Sequence, residues 1–388
     1  MKKNNVKLTT VLLLFLLGFL LSSIGSTSLT TTAEFSTNNP FENPTLQALT
    51  NHGTINIDYD DNFTDPYNFP GSGTVGDPYR IENYNITVTS EYPILFSGNN
   101  SEHFVIQNCF LKTDTNYGIY LGKYYPMGNG TVNVLNNIII SETNNGIFLQ
   151  GGSSAIITGN TIETGMNGIR IQDSEFCVAS YNTINGGYTG IWYDKTPNSI
   201  ITKNNCSNND YGIAVIESSG TSITHNNCSD STFVGIESQD SIDLTITNNY
   251  CISSSFFGIR LYDSANCIIT NNLLKENDEY GITMQSSVGV SKIYHNAFID
   301  NYPLGTSQAN DDYGNQWYED LLQEGNYWSD WVGPGNYSID GSANEYDLYP
   351  LSSIPVIPEY SGSYFAILMI LAFLAIPVID FVYKKKKN

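Results

Sequence analysis

Apolar and polar positions along this chain repeat with one long period rather than the short period of a helix. The motif Gly-Ile-x-apolar starts at Gly118, Gly146, Gly168, Gly190, Gly212, Gly258 and Gly281, with a Ser-ended copy at Gly235, and from Gly146 onward the spacing holds at 22 or 23 residues. A second series keeps step with it: an apolar residue, two spacers, Asn, a spacer and another apolar residue. Its asparagines are Asn108, Asn137, Asn160, Asn182, Asn204, Asn226, Asn249, Asn272 and Asn296. Two locked series at such a period mark a repeat architecture. Each period holds three short β-type pieces, as in "SII" at 199–201, "NNCS" at 204–207 and "GIAV" at 212–215. Propeller blades need longer repeats, and the leucine-rich repeat pattern is absent. A unit of three short strands cannot close a core alone. The pattern therefore predicts an all-β, right-handed, single-stranded parallel β-helix with rungs ~4.8 Å apart.

This fold assigns a role to each repeated residue. Ile201, Cys206, Ile213 and Val215 should point inward. Asn204 should sit at a bend between strands, with Asn160, Asn182, Asn226, Asn249, Asn272 and Asn296 at the same place in other turns, so that their amides stack into a ladder. Gly212 is expected to supply a corner conformation that other residues resist. Cys206, Cys228 and Cys251 share one inward position and read as core fillers. No CxxC spacing suggests a zinc or redox site.

The two ends follow other rules. Lys2, Lys3 and Lys7 precede an apolar run from Val11 to Leu21, the build of a secretory signal peptide over residues 1–28. Residues 29–56 read as a linker, 57–300 as the β-helix, 301–352 as a C-terminal cap segment and 353–363 as a second linker. The stretch 364–383 is apolar apart from Asp380, long enough as a helix to span a bilayer core. The basic tail 384–388, with Lys384 to Lys387, should remain cytoplasmic. A single-pass membrane protein with an extracellular β-helix is thus expected, and its Asn-x-Ser/Thr sequons, such as Asn205 and Asn227, would be open to glycosylation.

Charge narrows the partners. The net charge is −22 and several of the few basic residues lie in the two ends, so nucleic acid is disfavoured, whereas cations and neutral polymers such as glycans are compatible. Two outward columns are candidate sites. After each "GI" come Tyr120, Phe148, Arg170 and Trp192, a strip on which sugar rings could stack. Three residues further on, Glu217, Asp240 and Asp263 should stack in adjacent turns, each followed by a serine, where Ca²⁺ would offset their repulsion. "DD" occurs at 60–61 and 311–312, outside the regular repeats. No catalytic residue is identifiable.

Several segments resemble a known family. "GSGTVGDPYRIENYNIT" at 71–87 looks like the opening segment of NosD-type right-handed β-helix proteins, also described as carbohydrate-binding and sugar-hydrolase β-helix domains. "NAFIDN" at 296–301, "QANDDYGNQWYE" at 308–319, "GNYWSDW" at 325–331 and "DLYPL" at 347–351 look like its closing segment. "IPEYSG" ahead of the last apolar stretch resembles an archaeal sorting signal. The resemblance implies a surface β-helix that binds or presents to glycans or other surface proteins. Alternatives are a polysaccharide lyase or glycoside hydrolase, and a structural surface-layer or adhesion rod. It also carries an association with copper. His52, His103, His225 and His295 are too scattered to support that ion.

Overall fold

In the computed structural model, residues 49–286, 289–301 and 307–358 are described. The segments expected to form the signal peptide and the membrane helix with its lysine tail lie outside them. Among the described residues, no helix is long and apolar enough to cross a membrane.

Each repeat forms one turn of a right-handed-type parallel β-solenoid of about 10 turns. Three sheets make its faces. Sheet I holds ten strands, from Tyr79–Glu82 to Lys292–Tyr294, and sheet III holds eleven, from Ile55–Ile57 to Ala309–Asp311. Sheet II is a six-stranded piece ending at Thr183–Asn185 and a four-stranded piece starting at Tyr250–Ile252. Single-residue bridges from Thr183 through Asn205 and Asn227 to Tyr250 join them. Sheet II thins where the asparagine side chains take backbone N–H groups locally: Ser207 N donates to Asn205 Oδ1 at 3.3 Å and Ser229 N to Asn227 Oδ1 at 3.2 Å. Side chains that offer such partners compete with a strand ladder. Strand Thr50–Asn51 and the first two residues of Ile55–Ile57 lie in the stretch 29–56 read as a linker, yet both strands pair with the solenoid. They precede the first copy of either repeat motif, so periodicity gave no sign of them.

Ile201, Cys206, Ile213 and Val215 are fully buried, as are Cys228 and Cys251. All six cysteines are buried and free.

At the corner between sheets I and II the asparagines form the predicted ladder. Asn204 donates its N–H to Asn226 Oδ1 at 2.9 Å and its Nδ2–H both to that oxygen at 3.0 Å and to Ala179 O at 3.0 Å. Asn226 repeats this toward Asn249 and Ile201. Each side-chain amide thus satisfies a backbone N–H and a carbonyl of the preceding turn that no strand reaches, and bonds the next amide in the following turn. Asn108 does not take part. The ladder position in its turn belongs to Cys109, whose N–H meets Asn137 Oδ1 at 3.0 Å. Asn108 lies one residue earlier at φ 55°, the left-handed position held elsewhere by Tyr181, Lys203 and His225.

The glycine column has a different cause from the one expected. Gly212 has no positive φ. It is required by space: a Cβ there would meet Gly235 O at 2.5 Å and Cys228 Cβ at 2.7 Å. Gly168 is closed off in the same way, by Gly190 O at 2.7 Å and Ile184 Cγ2 at 2.2 Å. Sheet III therefore begins where its backbone presses directly on the inward residue of sheet II. This close approach is open only to a residue without a side chain.

The non-repetitive segments plug the ends. At the start, Phe63 stacks on Tyr79 at 4.6 Å and Phe96 on Phe104 at 4.4 Å. At the end, Trp328 lies between Phe298 at 4.1 Å and Tyr337 at 4.0 Å. The ladder runs on to Asn326, whose N–H donates to Asp347 Oδ2 at 2.7 Å, and Trp328 Nε1–H donates to the same oxygen at 2.9 Å. Asp311 lies within the last strand of sheet III, not outside the rungs as its "DD" context suggested. Its carboxylate is fully buried and accepts from Asn315 N at 2.7 Å and Trp317 Nε1 at 2.9 Å. The closing motifs are thus carboxylate-centred caps.

Asn226→Leu should destabilise the protein by roughly 1–3 kcal/mol more than Asn227→Leu, because it strands the buried Asn204 amide and Ile201 carbonyl. Denaturant unfolding of the two variants tests this, and equal midpoints would contradict the ladder register.

Candidate functional site

Sheet III projects one outward side chain per turn from the residue after Gly-Ile. The strand register pairs Tyr120 with Phe148, Phe148 with Arg170 and Arg170 with Trp192. It continues through Ala214 and Glu237 to Arg260. The predicted strip is therefore one continuous column. Tyr120 and Phe148 have ring centroids 5.1 Å apart. The Arg170 guanidinium carbon lies 5.3 Å from the Phe148 centroid and 4.3 Å from that of Trp192, a cation sandwiched between two π faces. Arg170 is held there by bonds to Gln172 Oε1 at 3.0 Å and Asp194 Oδ2 at 3.3 Å.

A second aromatic row runs beside the column. Tyr188, Tyr211, Phe233 and Phe256 follow one another with centroids 5.4, 5.5 and 5.7 Å apart. The sequence reading missed it. The sign was available: an aromatic residue stands one or two places before each of these Gly-Ile pairs.

Between the two rows, over Ala214, lies a cleft of about 210 Å³ lined by Trp192, Tyr188, Tyr211, Ala214, Glu237 and Gln239. Glu237 was not singled out from sequence, since one carboxylate in an outward column looks like a solvated residue. Its side chain is only 13% exposed. Burial pushes its carboxyl up from 4.5 to about 7, and Arg260 only partly offsets this. The nearest Arg260 nitrogen is 3.8 Å from Glu237 Oε1, too far for a hydrogen bond. Glu237 Oε2 and Trp192 Nε1–H are buried with no hydrogen-bond partner. A larger cleft of about 490 Å³ opens on sheet II beside Thr161, Glu163, Thr183, Asn185 and Asn208, without an aromatic platform.

Glu217, Asp240 and Asp263 stand in adjacent turns, as their spacing predicts. Each is in the left-handed region, with φ of 48°, 50° and 46°. Aspartate tolerates that conformation at turns, and Glu217 adopts it at the same place. The serines that follow form a ladder of their own: Ser218 N donates to Ser241 Oγ at 2.9 Å and Ser241 N to Ser264 Oγ at 3.3 Å. Glu217 lies 3.8 Å from Lys195 Nζ, and Asp240 Oδ2 accepts from Gln239 at 3.0 Å. Among the described residues no group of three His, Cys, Asp or Glu side chains is placed to hold a metal ion.

The geometry so far defines a parallel β-helix that carries an aromatic outward face. The NosD family model, described as "Periplasmic copper-binding protein (NosD)", matches residues 76–186 and 167–333, about two-thirds of the chain. The chain belongs to the NosD family. No curated protein matches it. Among solved structures it is similar to the enzymatically active domain of bacteriophage CBA120 tailspike protein 2, at 11% identity and a TM-score of 0.50, over 63% of this chain and 42% of that one. It is also similar to the periplasmic alginate epimerase AlgG, at 15% identity and a TM-score of 0.40, over 67% of this chain and 81% of that one. A third similarity is to the Streptococcus pneumoniae surface protein and adhesin PfbA, at 11% identity and a TM-score of 0.37, over 60% of this chain and 79% of that one. At such identities a likeness speaks for the fold alone, and of these three only the tailspike bears on it.

Among the described residues, the histidines and thiols do not gather into a site for the copper that the family description names. His225 and His295 occupy one column three turns apart. His295 Nε2 is engaged with Glu324 Oε2 at 2.7 Å and His52 Nδ1 with Gly53 O at 2.7 Å. The thiols are interior, and burial pushes those of Cys109, Cys177 and Cys267 up to about 11, against the thiolate a metal requires.

Glu237 makes a testable contribution to stability. The folded carboxyl holds its proton more tightly than the unfolded chain does. Its contribution is therefore complete below about pH 4.5 and is lost as pH rises to about 7. Glu237→Gln should gain on the wild type by about 2.5 kcal/mol between pH 5 and pH 8. Denaturant unfolding at both values measures this, and a constant difference would mean that the carboxylate is solvated.

Proposed function

We propose that the protein is an exported, membrane-anchored surface β-helix that binds glycan along the outward column of sheet III. The observation that carries this reading is the continuous aromatic and guanidinium column from Tyr120 to Trp192, with a second aromatic row beside it at the cleft. Pyranose rings present C–H faces that pack on such platforms while their hydroxyls remain available for hydrogen bonds. A net charge of −22 favours uncharged polymers over anionic ones. The apolar stretches at both ends of the chain support export and anchoring.

One observation favours a second reading, a glycan-cleaving enzyme. Glu237 combines a carboxyl pushed up to about 7 with a cleft and a nearby guanidinium, an arrangement suited to proton transfer. Product analysis after incubation with polysaccharides separates the two readings, since a binder leaves chain length unchanged.

The binding reading is tested by a glycan array probed with the purified protein, followed by binding of the best glycan to intact cells. Trp192→Ala should remain folded and weaken binding by about 1 kcal/mol, roughly fivefold. Binding to cells should disappear after external protease. A folded protein that recognises no glycan would leave the rod reading, and protease-resistant binding would remove export.

A further inference from the structure

We propose that the cleft over Ala214 is the subsite for one uncharged pyranose residue, whose ring occupies the place in the sheet III column that Ala214 leaves empty. This rests on the glycan reading above and gives it a location.

The column is bulky on both sides of this point, with Arg170 and Trp192 below and Glu237 and Arg260 above. Ala214 interrupts it with a methyl group. Trp192 and Glu237 are two turns apart, ~9.6 Å at ~4.8 Å per rung. A flat ring midway would lie ~4.8 Å from each, within the ~4.5–7 Å range of stacked rings. One face of Trp192 is already covered by the Arg170 guanidinium at 4.3 Å. The neighbour on its other side is Ala214, and there Trp192 borders the cleft. Tyr188 and Tyr211 close the cleft laterally.

The chemistry of the lining selects the ring. Trp192 Nε1–H is a buried donor without an acceptor, and Glu237 Oε2 is a buried carboxyl oxygen without a partner. An apolar ring would leave both unmatched. A pyranose carries hydroxyls that accept from the indole and donate to the carboxyl at the edge of an apolar face. The volume of about 210 Å³ is below the roughly 300–1,000 Å³ of sites that enclose a whole small molecule, so the cleft holds one residue of a longer chain. The net charge of −22 opposes an anionic sugar.

The test fills the place from within. Ala214→Trp puts an aromatic ring at an outward strand position already used by Trp192, so the variant should keep or raise the wild-type melting temperature. Saturation-transfer NMR with methyl glucoside, methyl galactoside, methyl mannoside and methyl galacturonoside reads occupancy. The wild type should bind at least one of the three neutral glycosides more tightly than the uronoside, and Ala214→Trp should lose that binding at least tenfold. Should Ala214→Trp fail to fold, Ala214→Leu serves in its place, with the same expected loss. Binding that survives a folded Ala214 variant but is lost in Tyr120→Ala would keep the glycan reading and overturn the subsite. Preference for the uronoside would overturn the choice of an uncharged sugar, and a wild type that binds none of the four would overturn both subsite and glycan reading.

Discussion

The side-chain amide of one asparagine per turn serves backbone groups that no strand can reach at the corner between sheets I and II. It accepts from an N–H of the preceding turn, donates to a carbonyl of that turn and donates to the amide of the next, in a place closed to water. A buried polar group without a partner is costly, so each amide fixes the position of the next turn. Register follows from this. A slip of one residue would exchange the inward and outward faces of every strand and break the ladder at the same time. The chain reinforces the same register sterically, because the glycines from Gly118 to Gly258 at the start of successive sheet III strands lie against the backbone of the next turn and an inward residue of sheet II. The ladder is closed at its end by the Asp347 carboxylate, which replaces the amide that a further turn would have supplied.

Locked register turns any outward position into a column, and the candidate site is built from that. Tyr120, Phe148, Arg170 and Trp192 are far apart in sequence yet stand one rung from one another. The same regularity gives a single small residue its effect: Ala214 leaves a place in a column whose spacing matches stacked rings. Glu237 completes the cleft because its neighbours exclude water while Arg260 stays beyond hydrogen-bond reach.

Much of this was legible in the sequence, because a repeated turn writes its constraint many times over. Strand directions, the buried Ile and Cys positions and the asparagine ladder all follow from two motif series in step. Features that occur once were not legible in the same way. Asn326 lies 30 residues after Asn296 and so falls off the period. Asp311 looked like part of an irregular segment, yet it caps sheet III. Asn108 fitted the motif and missed the ladder by one residue, since spacing does not tell an inward amide from the left-handed position before it. The role of Gly212 was misassigned because a glycine's missing side chain and its free backbone leave the same mark in sequence. The cleft escaped notice because it depends on an absence in one column and an aromatic row of irregular spacing in the next.

The central claim, that the amide ladder holds the turns in register, is tested most directly by hydrogen exchange on asparagine-labelled protein. The backbone N–H groups of Asn182, Asn204, Asn226 and Asn249 should exchange only through global unfolding, more slowly than that of Asn208, whose backbone bond lies near the surface. Exchange of the four ladder amides at rates like that of Asn208, under conditions where the protein stays folded, would contradict the account.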